Sequence, residues 1–189
     1  MKYLQTILLL FFFGSIHAQI IPKKILITYH SKTDHTKAMA EEIAKGVQSV
    51  EGVSLKLKRI SETLNKDLLE ADAIIVGSPV YNANVAPEVV KFMSEWPFSG
   101  NPLKNKIGAA FVTAGGISAG EETAQVNLLH SMLVFGMIIV GGDDWTAPFG
   151  ASAITSEGLY NSSSKIDSIF TKKGYQLGKR VAEITKKVN

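Results

Sequence analysis

The chain has 189 residues, 46% of them hydrophobic and 20% charged, which suits one domain with a full core and excludes a disordered chain. Its formal net charge of +3 is carried by scattered lysines and arginines, so no clustered basic face points to a nucleic-acid partner. It has no cysteine, which excludes disulfides, thiol catalysis and a lipid-modified cysteine.

Met1 and Lys2 form a short positive start, followed by an apolar run over 4–16 broken only by Gln5, Thr6, Gly14 and Ser15. That run is short for a bilayer span, and Ala18 offers a small residue for cleavage. Residues 1–18 therefore read as a secretory signal peptide, with an uncleaved anchor as the alternative. The expected product is one soluble exported domain over 19–189, in a bacterial periplasm or secreted.

Beyond this segment, strands are expected near 24–29, 53–60, 72–78, 107–113 and 137–141. They alternate with helices near 36–50, 62–70, 87–96, 120–135 and 163–187, with no linker or internal repeat. Met39, Ile43, Val47 and Val50 fall on one stripe of the first helix. Ile166, Ile169, Phe170, Leu177, Val181 and Ile184 do the same in the last. The runs over 73–77 and 137–140 read as strands buried on both faces. Such alternation argues for an α/β domain, a parallel sheet covered on both faces with right-handed crossovers. Ligands of such sheets sit beyond the carboxyl ends of the strands, here the loops 30–36, 78–87, 114–120 and 142–162.

The first loop, His30-Ser31-Lys32-Thr33-Asp34-His35-Thr36-Lys37, places three hydroxyls and several cationic groups at a helix start. The first amides of a helix lack intrahelical partners and sit at the positive end of its dipole, so this turn suits a phosphate. A plain helix cap is the alternative. In the second loop Pro79 and Pro87 fix an extended path, and Tyr81 could stack on a flat ring while Asn82 and Asn84 bond its polar edge. The third loop, Thr113-Ala114-Gly115-Gly116-Ile117-Ser118-Ala119-Gly120, lets the backbone approach a ligand closely but matches no dinucleotide or P-loop fingerprint. Asp143-Asp144-Trp145 reads as a solvated turn with a half-buried aromatic. His30, His35 and His130 are too dispersed for a metal site, and no paired-carboxylate pattern appears.

Taken in order, the segments 25–31, 36–40, 73–81, 111–115, 121–123 and 136–140 resemble the flavodoxin-like FMN proteins, and most of all the WrbA-like NAD(P)H:quinone oxidoreductases. The resemblance implies a flavodoxin-like three-layer sandwich with a five-stranded parallel sheet of order 2-1-3-4-5. It implies that Ser31, Lys32, Thr33, Asp34, His35 and Thr36 surround the FMN phosphate. Pro79, Val80, Tyr81 and Asn82 would lie along the isoalloxazine, with Thr113, Ala114, Gly115, Gly116, Ile117 and Ser118 closing its other side. Asp34 stands where those proteins usually have glycine. Leu133-Val134-Phe135 replaces the histidine that reaches a neighbouring subunit's flavin, and the loop after the fifth strand is shorter.

The function implied is an FMN-dependent oxidoreductase that passes two electrons from NAD(P)H to a quinone or similar acceptor. One alternative is a one-electron carrier serving a protein partner, which the basic balance disfavours; another, prompted by Asp34, is a protein of this fold that has lost FMN. Export would make NAD(P)H scarce, so a membrane or protein partner enters as a possible electron donor. A homo-oligomer is also compatible.

Overall fold

The computed structural model describes residues 21–161 and 165–188. The expected signal peptide lies outside the described residues, as does the start of the predicted last helix at 163–164. Five helices pack on a sheet: α1 His35–Gln48, α2 Asn65–Glu70, α3 Pro87–Ser94, α4 Glu121–Val134 and α5 Ser168–Lys187. The strands are β1 Lys23–Tyr29, β2 Val53–Arg59, β3 Ala73–Tyr81, β4 Asn84–Val85, β5 Ile107–Ala114, β6 Ile138–Ile139 and β7 Ala151–Ile154. The parallel order is β2-β1-β3-β5-β6, with β4 added to β3 and β7 to β5.

Two expectations about the sheet are corrected. The strand predicted over 137–141 pairs only at Ile138 and Ile139, opposite Ile107 and Gly108. The chain then loops out and returns as β7, with Ala151–Ile154 beside Phe111–Ala114, so the fifth position is shared by two short strands. Local turn chemistry outcompetes the ladder there. Gly142 N–H donates to the Ala147 carbonyl at 2.9 Å, and the Asp144 carboxylate accepts from Thr146 N–H and hydroxyl at 2.7 and 2.6 Å. Trp145 in this loop is 87% exposed, not half-buried. The second correction concerns the loop expected after residue 78, which continues as strand to Tyr81 and folds back as β4. Val80 pairs with Val85 and Tyr81 with Asn84. Asn82 and Ala83 both take positive φ, 49° and 60°, as a two-residue type I′ hairpin turn requires.

Strand residues alternate between two cores. Ile25, Ile27, Ile75 and Phe111 lie under α1 and α5. Leu26, Ile74, Val76, Ala110 and Val112 lie under α2, α3 and α4. Each such aliphatic side chain contributes about 1.5–3 kcal/mol by leaving water. On α1, Met39, Ile43 and Val47 are fully buried, and Val50 is partly so. On α5, Phe170, Leu177 and Val181 face inward. Ile169, expected on that stripe, is 52% exposed. Asp167 caps the helix by accepting from Ile169 N–H at 2.9 Å, and starting there turns Phe170 in and its neighbour out. The two helices touch backbone to backbone: a Cβ on Gly178 would lie 2.0 Å from the Ile43 carbonyl oxygen.

Candidate functional site

The parallel strands end together, and their carboxyl ends bring three of the four expected loops, with part of the fourth, to one edge. β1 delivers the turn 30–36 to the start of α1. There Thr36, 2% exposed, shares a 2.8 Å hydrogen bond with the hydroxyl of Thr113 at the end of β5. One of the two hydroxyls donates in that bond, so the other keeps its hydrogen for a ligand. Ser31 accepts from Lys37 N–H at 3.4 Å, which leaves the serine hydroxyl hydrogen uncommitted as well. The imidazole of His35 meets the Thr33 hydroxyl at 3.3 Å through Nδ1, while its Nε2 is buried without a partner. A helix start edged by uncommitted hydroxyls and an orphaned ring nitrogen suits a phosphate dianion.

Asp34 takes no part in that cradle. Its φ of 61° is left-handed, the backbone state that glycine reaches at no steric cost. Asp34 fills it and turns its carboxylate outward, 69% exposed, to the Arg59 guanidinium at 3.1 Å. Arg59, at the end of β2, also donates to the Ser31 carbonyl at 2.8 Å and lies 5.6 Å from the Tyr29 ring centroid. One guanidinium thus ties both ends of the turn. The negative charge beside the cradle is thus paired with a guanidinium.

Lys32, expected at the phosphate, is committed elsewhere. Its Nζ lies 3.1 Å from the Glu88 carboxylate and 5.3 Å from the centre of the Tyr81 ring. That carboxylate pushes the Lys32 ammonium pKa up. Glu88, at the start of α3, is held below the usual carboxylate range by its own backbone N–H and then by Lys32. Val80, Tyr81 and Asn82 form one wall of a groove of about 650 Å³, with Lys32, Thr33 and Glu88 on the other. Pro79 stands opposite Thr113 in the sheet rather than in this groove.

The third loop closes against the hairpin. Gly120, at φ 97°, comes so near that a Cβ there would lie 2.5 Å from Ala83 Cα. Ala114 and Gly115 are fastened from below: their carbonyls accept from Thr155 and Ser156 N–H at 3.0 and 2.9 Å. Ile117 N–H donates to Glu157 Oε2 at 2.6 Å, next to Gly116. Ser118 takes a left-handed φ of 58°. The later part of the fourth loop therefore joins the site. Its earlier part does not: Asp143 accepts from Gln176 and the Thr146 carbonyl from Lys173, both on the flank of α5. Arg59, Glu88 and Glu157 are the contributors that the sequence reading did not single out. Among the described residues no cluster of side chains has the make-up of a metal site.

This geometry can hold a phosphate at the start of α1 and offers a flat ring the groove walled by the hairpin, which is what FMN presents. The comparisons agree. Residues 16–152 match the family model described as NADPH-dependent FMN reductase. A flavodoxin from Aquifex aeolicus is 33% identical over 127 residues, 65% of this chain and 66% of its own length, so the match spans just under two thirds of that protein. A flavodoxin from Clostridium saccharobutylicum is 36% identical over 119 residues, 63% of this chain and 73% of its own. Among solved structures, a flavodoxin from the domain Archaea superposes with a TM-score of 0.69 at 28% identity, covering 86% of this chain and 99% of that one. A WrbA-like flavodoxin from Agrobacterium tumefaciens gives 0.73 at 22% identity, covering 88% and 99%, which speaks for the shared fold.

Proposed function

The chain belongs to the NADPH-dependent FMN reductase family, and from that premise we propose that it is an FMN-dependent oxidoreductase acting on a small acceptor such as a quinone. NAD(P)H, a proton and the quinone give NAD(P)+ and the hydroquinone, and bound FMN supplies the hydride chemistry between them. The protein's own part is binding and orientation. The α1 amides with Ser31 and Thr36 hold the phosphate. The hairpin wall of Val80, Tyr81 and Asn82 orients the ring, and the loop over 113–118 backs it. Arg59 keeps the turn in shape and Asp34 out of the cradle. No side chain has to move a proton, because the acceptor can take its proton from water.

The observation that carries this reading is the convergence of three strand-end loops on a helix start whose hydroxyl hydrogens are not all spent internally. A second reading, a one-electron carrier docking on a protein partner, is favoured by the two relatives that are themselves flavodoxins. The formal net charge of +3 weighs against it, since carriers of this type usually dock through an acidic surface on basic partners. We further propose that the protein is exported after removal of residues 1–18, where a membrane or protein donor would replace scarce NAD(P)H. The test is one purified sample of the mature chain. Yellow protein that oxidises NADPH rapidly when benzoquinone is present supports the enzyme. Yellow protein with negligible turnover, reduced by dithionite in two separate one-electron waves, supports the carrier. Colourless protein that gains no visible band on adding FMN contradicts both.

A further inference from the structure

The loop over 142–150 and the flank of α5 beside it carry the most exposed aromatic side chain among the described residues. Trp145 is 87% exposed, against 4% for Trp96, the other tryptophan of the chain. The turn beneath it is held from both sides. Within the loop, Ala147 N–H donates to the Asp144 carbonyl at 3.1 Å, and the Asp144 carboxylate accepts from Thr146 N–H at 2.7 Å. From α5, Lys173 Nζ donates to the Thr146 carbonyl at 2.8 Å and Gln176 to the Asp143 carboxylate at 3.3 Å. A fastened turn therefore presents the indole to solvent. On α5 itself, Ile169, one turn before Lys173, and Tyr175 are exposed as well.

The charge of the chain collects on the same flank. α5 and the loop hold Lys172, Lys173, Lys179, Arg180, Lys186 and Lys187 against Asp143, Asp144 and Glu183, six cations less three carboxylates, or +3. That equals the formal net charge of the whole chain, so the charges elsewhere cancel. The three carboxylates are engaged locally: Glu183 lies 3.9 Å from Lys179, while Asp143 and Asp144 accept from Gln176 and Thr146. Lys172, Lys173, Arg180 and Lys187 make no ion pair among the described residues. Lys172, Lys179, Arg180 and Lys187 recur at helical spacing, so they share one face with Gln176, which holds the loop. The groove between that face and the loop, about 320 Å³, is lined almost wholly by polar and charged side chains, so an apolar knob of a partner protein finds no seat there. What the flank offers is one ring to insert and several cations on long apolar stems, the combination that an anionic lipid surface takes up.

We propose that the Trp145 loop and the basic face of α5 dock the protein on an anionic membrane, the indole entering the headgroup region and the cations meeting lipid phosphates. No residue of the flavin site belongs to this surface, so its loss leaves FMN affinity unchanged and its failure leaves the proposed function standing. The purified mature chain is sedimented with vesicles while tryptophan emission is followed; Trp96 is buried, so a change reports Trp145. Binding is expected at low salt to vesicles of equal phosphatidylglycerol and phosphatidylcholine, with a blue shift of the emission. Phosphatidylcholine alone should bind at least about tenfold more weakly, and about 1 M salt, with a screening length near 3 Å, should release the protein. Lys172→Ala should weaken binding about fivefold, the worth of one cation near such a surface. Trp145→Ala should weaken it about tenfold and abolish the blue shift, as expected for a large aromatic leaving water in part. Absence of binding to the anionic vesicles at low salt overturns the proposal. Binding that neutral vesicles match, that both variants leave intact, or that does not move the emission overturns it too. An acidic macromolecule is the competing occupant: heparin binding that both variants weaken, with vesicles ignored, assigns the face to such a partner and overturns the lipid.

Discussion

Gly120 offers a test of how the hairpin and third loop fit together, because the conformational and steric costs of a side chain can be separated. In Gly120→Ala the new Cβ would meet Ala83 Cα at 2.5 Å, its Cβ at 2.6 Å and its carbonyl oxygen at 3.0 Å, at a φ of 97°. Two of those atoms are backbone and cannot rotate aside. Gly100→Ala is the control, with φ 80° and nothing within 4 Å. Both variants pay for a left-handed side chain, about 1–2 kcal/mol, offset by about 0.4–1 kcal/mol from a stiffer unfolded chain. Gly120→Ala alone adds the overlap, about 1–3 kcal/mol. A net loss of about 1–5 kcal/mol lowers the melting temperature by about 2–18 °C in a domain of this size, against about 0–6 °C for the control. Urea unfolding with a shared slope should reproduce the difference. FMN affinity should fall only in Gly120→Ala, since displacing Ala83 displaces the adjoining Tyr81 and Asn82. Equal stabilities within about 0.5 kcal/mol, inside the usual error of such comparisons, would refute the loop-on-hairpin contact.

Thr36→Val leaves the Thr113 hydroxyl unpaired while nearly keeping the shape, and should cost about 1–2 kcal/mol of stability together with about tenfold in FMN affinity, read by denaturation and fluorescence titration. Asp34→Gly relieves the left-handed strain and removes a charge near the phosphate; a fluorescence titration should show FMN binding a few-fold tighter, about 1 kcal/mol at most given screening. Asp67 is buried and takes Lys56 at 2.9 Å, Lys58 at 2.7 Å and Leu64 N–H at 3.0 Å. The Lys58 and Lys56 hydrogen bonds hold its carboxyl far below the usual range. A depressed carboxyl stabilises the fold above its unfolded pKa, near 3.9, and loses that contribution as pH falls toward the folded value. Asp67→Asn should therefore cost about 1–3 kcal/mol near neutrality, a modest figure because both lysines are partly exposed, with the gap to the parent chain closing below about pH 4 in acid–urea titrations.

The central strands were legible because 25–27, 73–76 and 107–112 are apolar runs of strand length between turn residues, and their order followed from the family resemblance. The shared fifth position was not, because the apolar run 137–140 looks like a full strand until the Gly141-Gly142 turn and the Asp144 carboxylate are weighed against it. The hairpin was hidden by Ala83, which stands where the usual I′ signal has glycine. Asp34 was weighed by its charge, whereas its backbone angle decides its role and Arg59 settles where the carboxylate goes. Arg59 could have been found, since it ends β2 opposite Tyr29, the last residue of β1 before the turn. Glu157 could not: it reaches Ile117 across 40 residues, and no local pattern announces that contact.

The central claim is that the turn 31–36 cradles the phosphate of FMN. Titrating the flavin-free mature chain with FMN and, separately, with riboflavin while following flavin fluorescence tests it most directly. The cradle predicts one-to-one quenching by FMN with an affinity at least about a hundredfold above riboflavin's, the worth of two charge-assisted hydrogen bonds. Equal affinities for the two flavins, or no quenching by either, would contradict it.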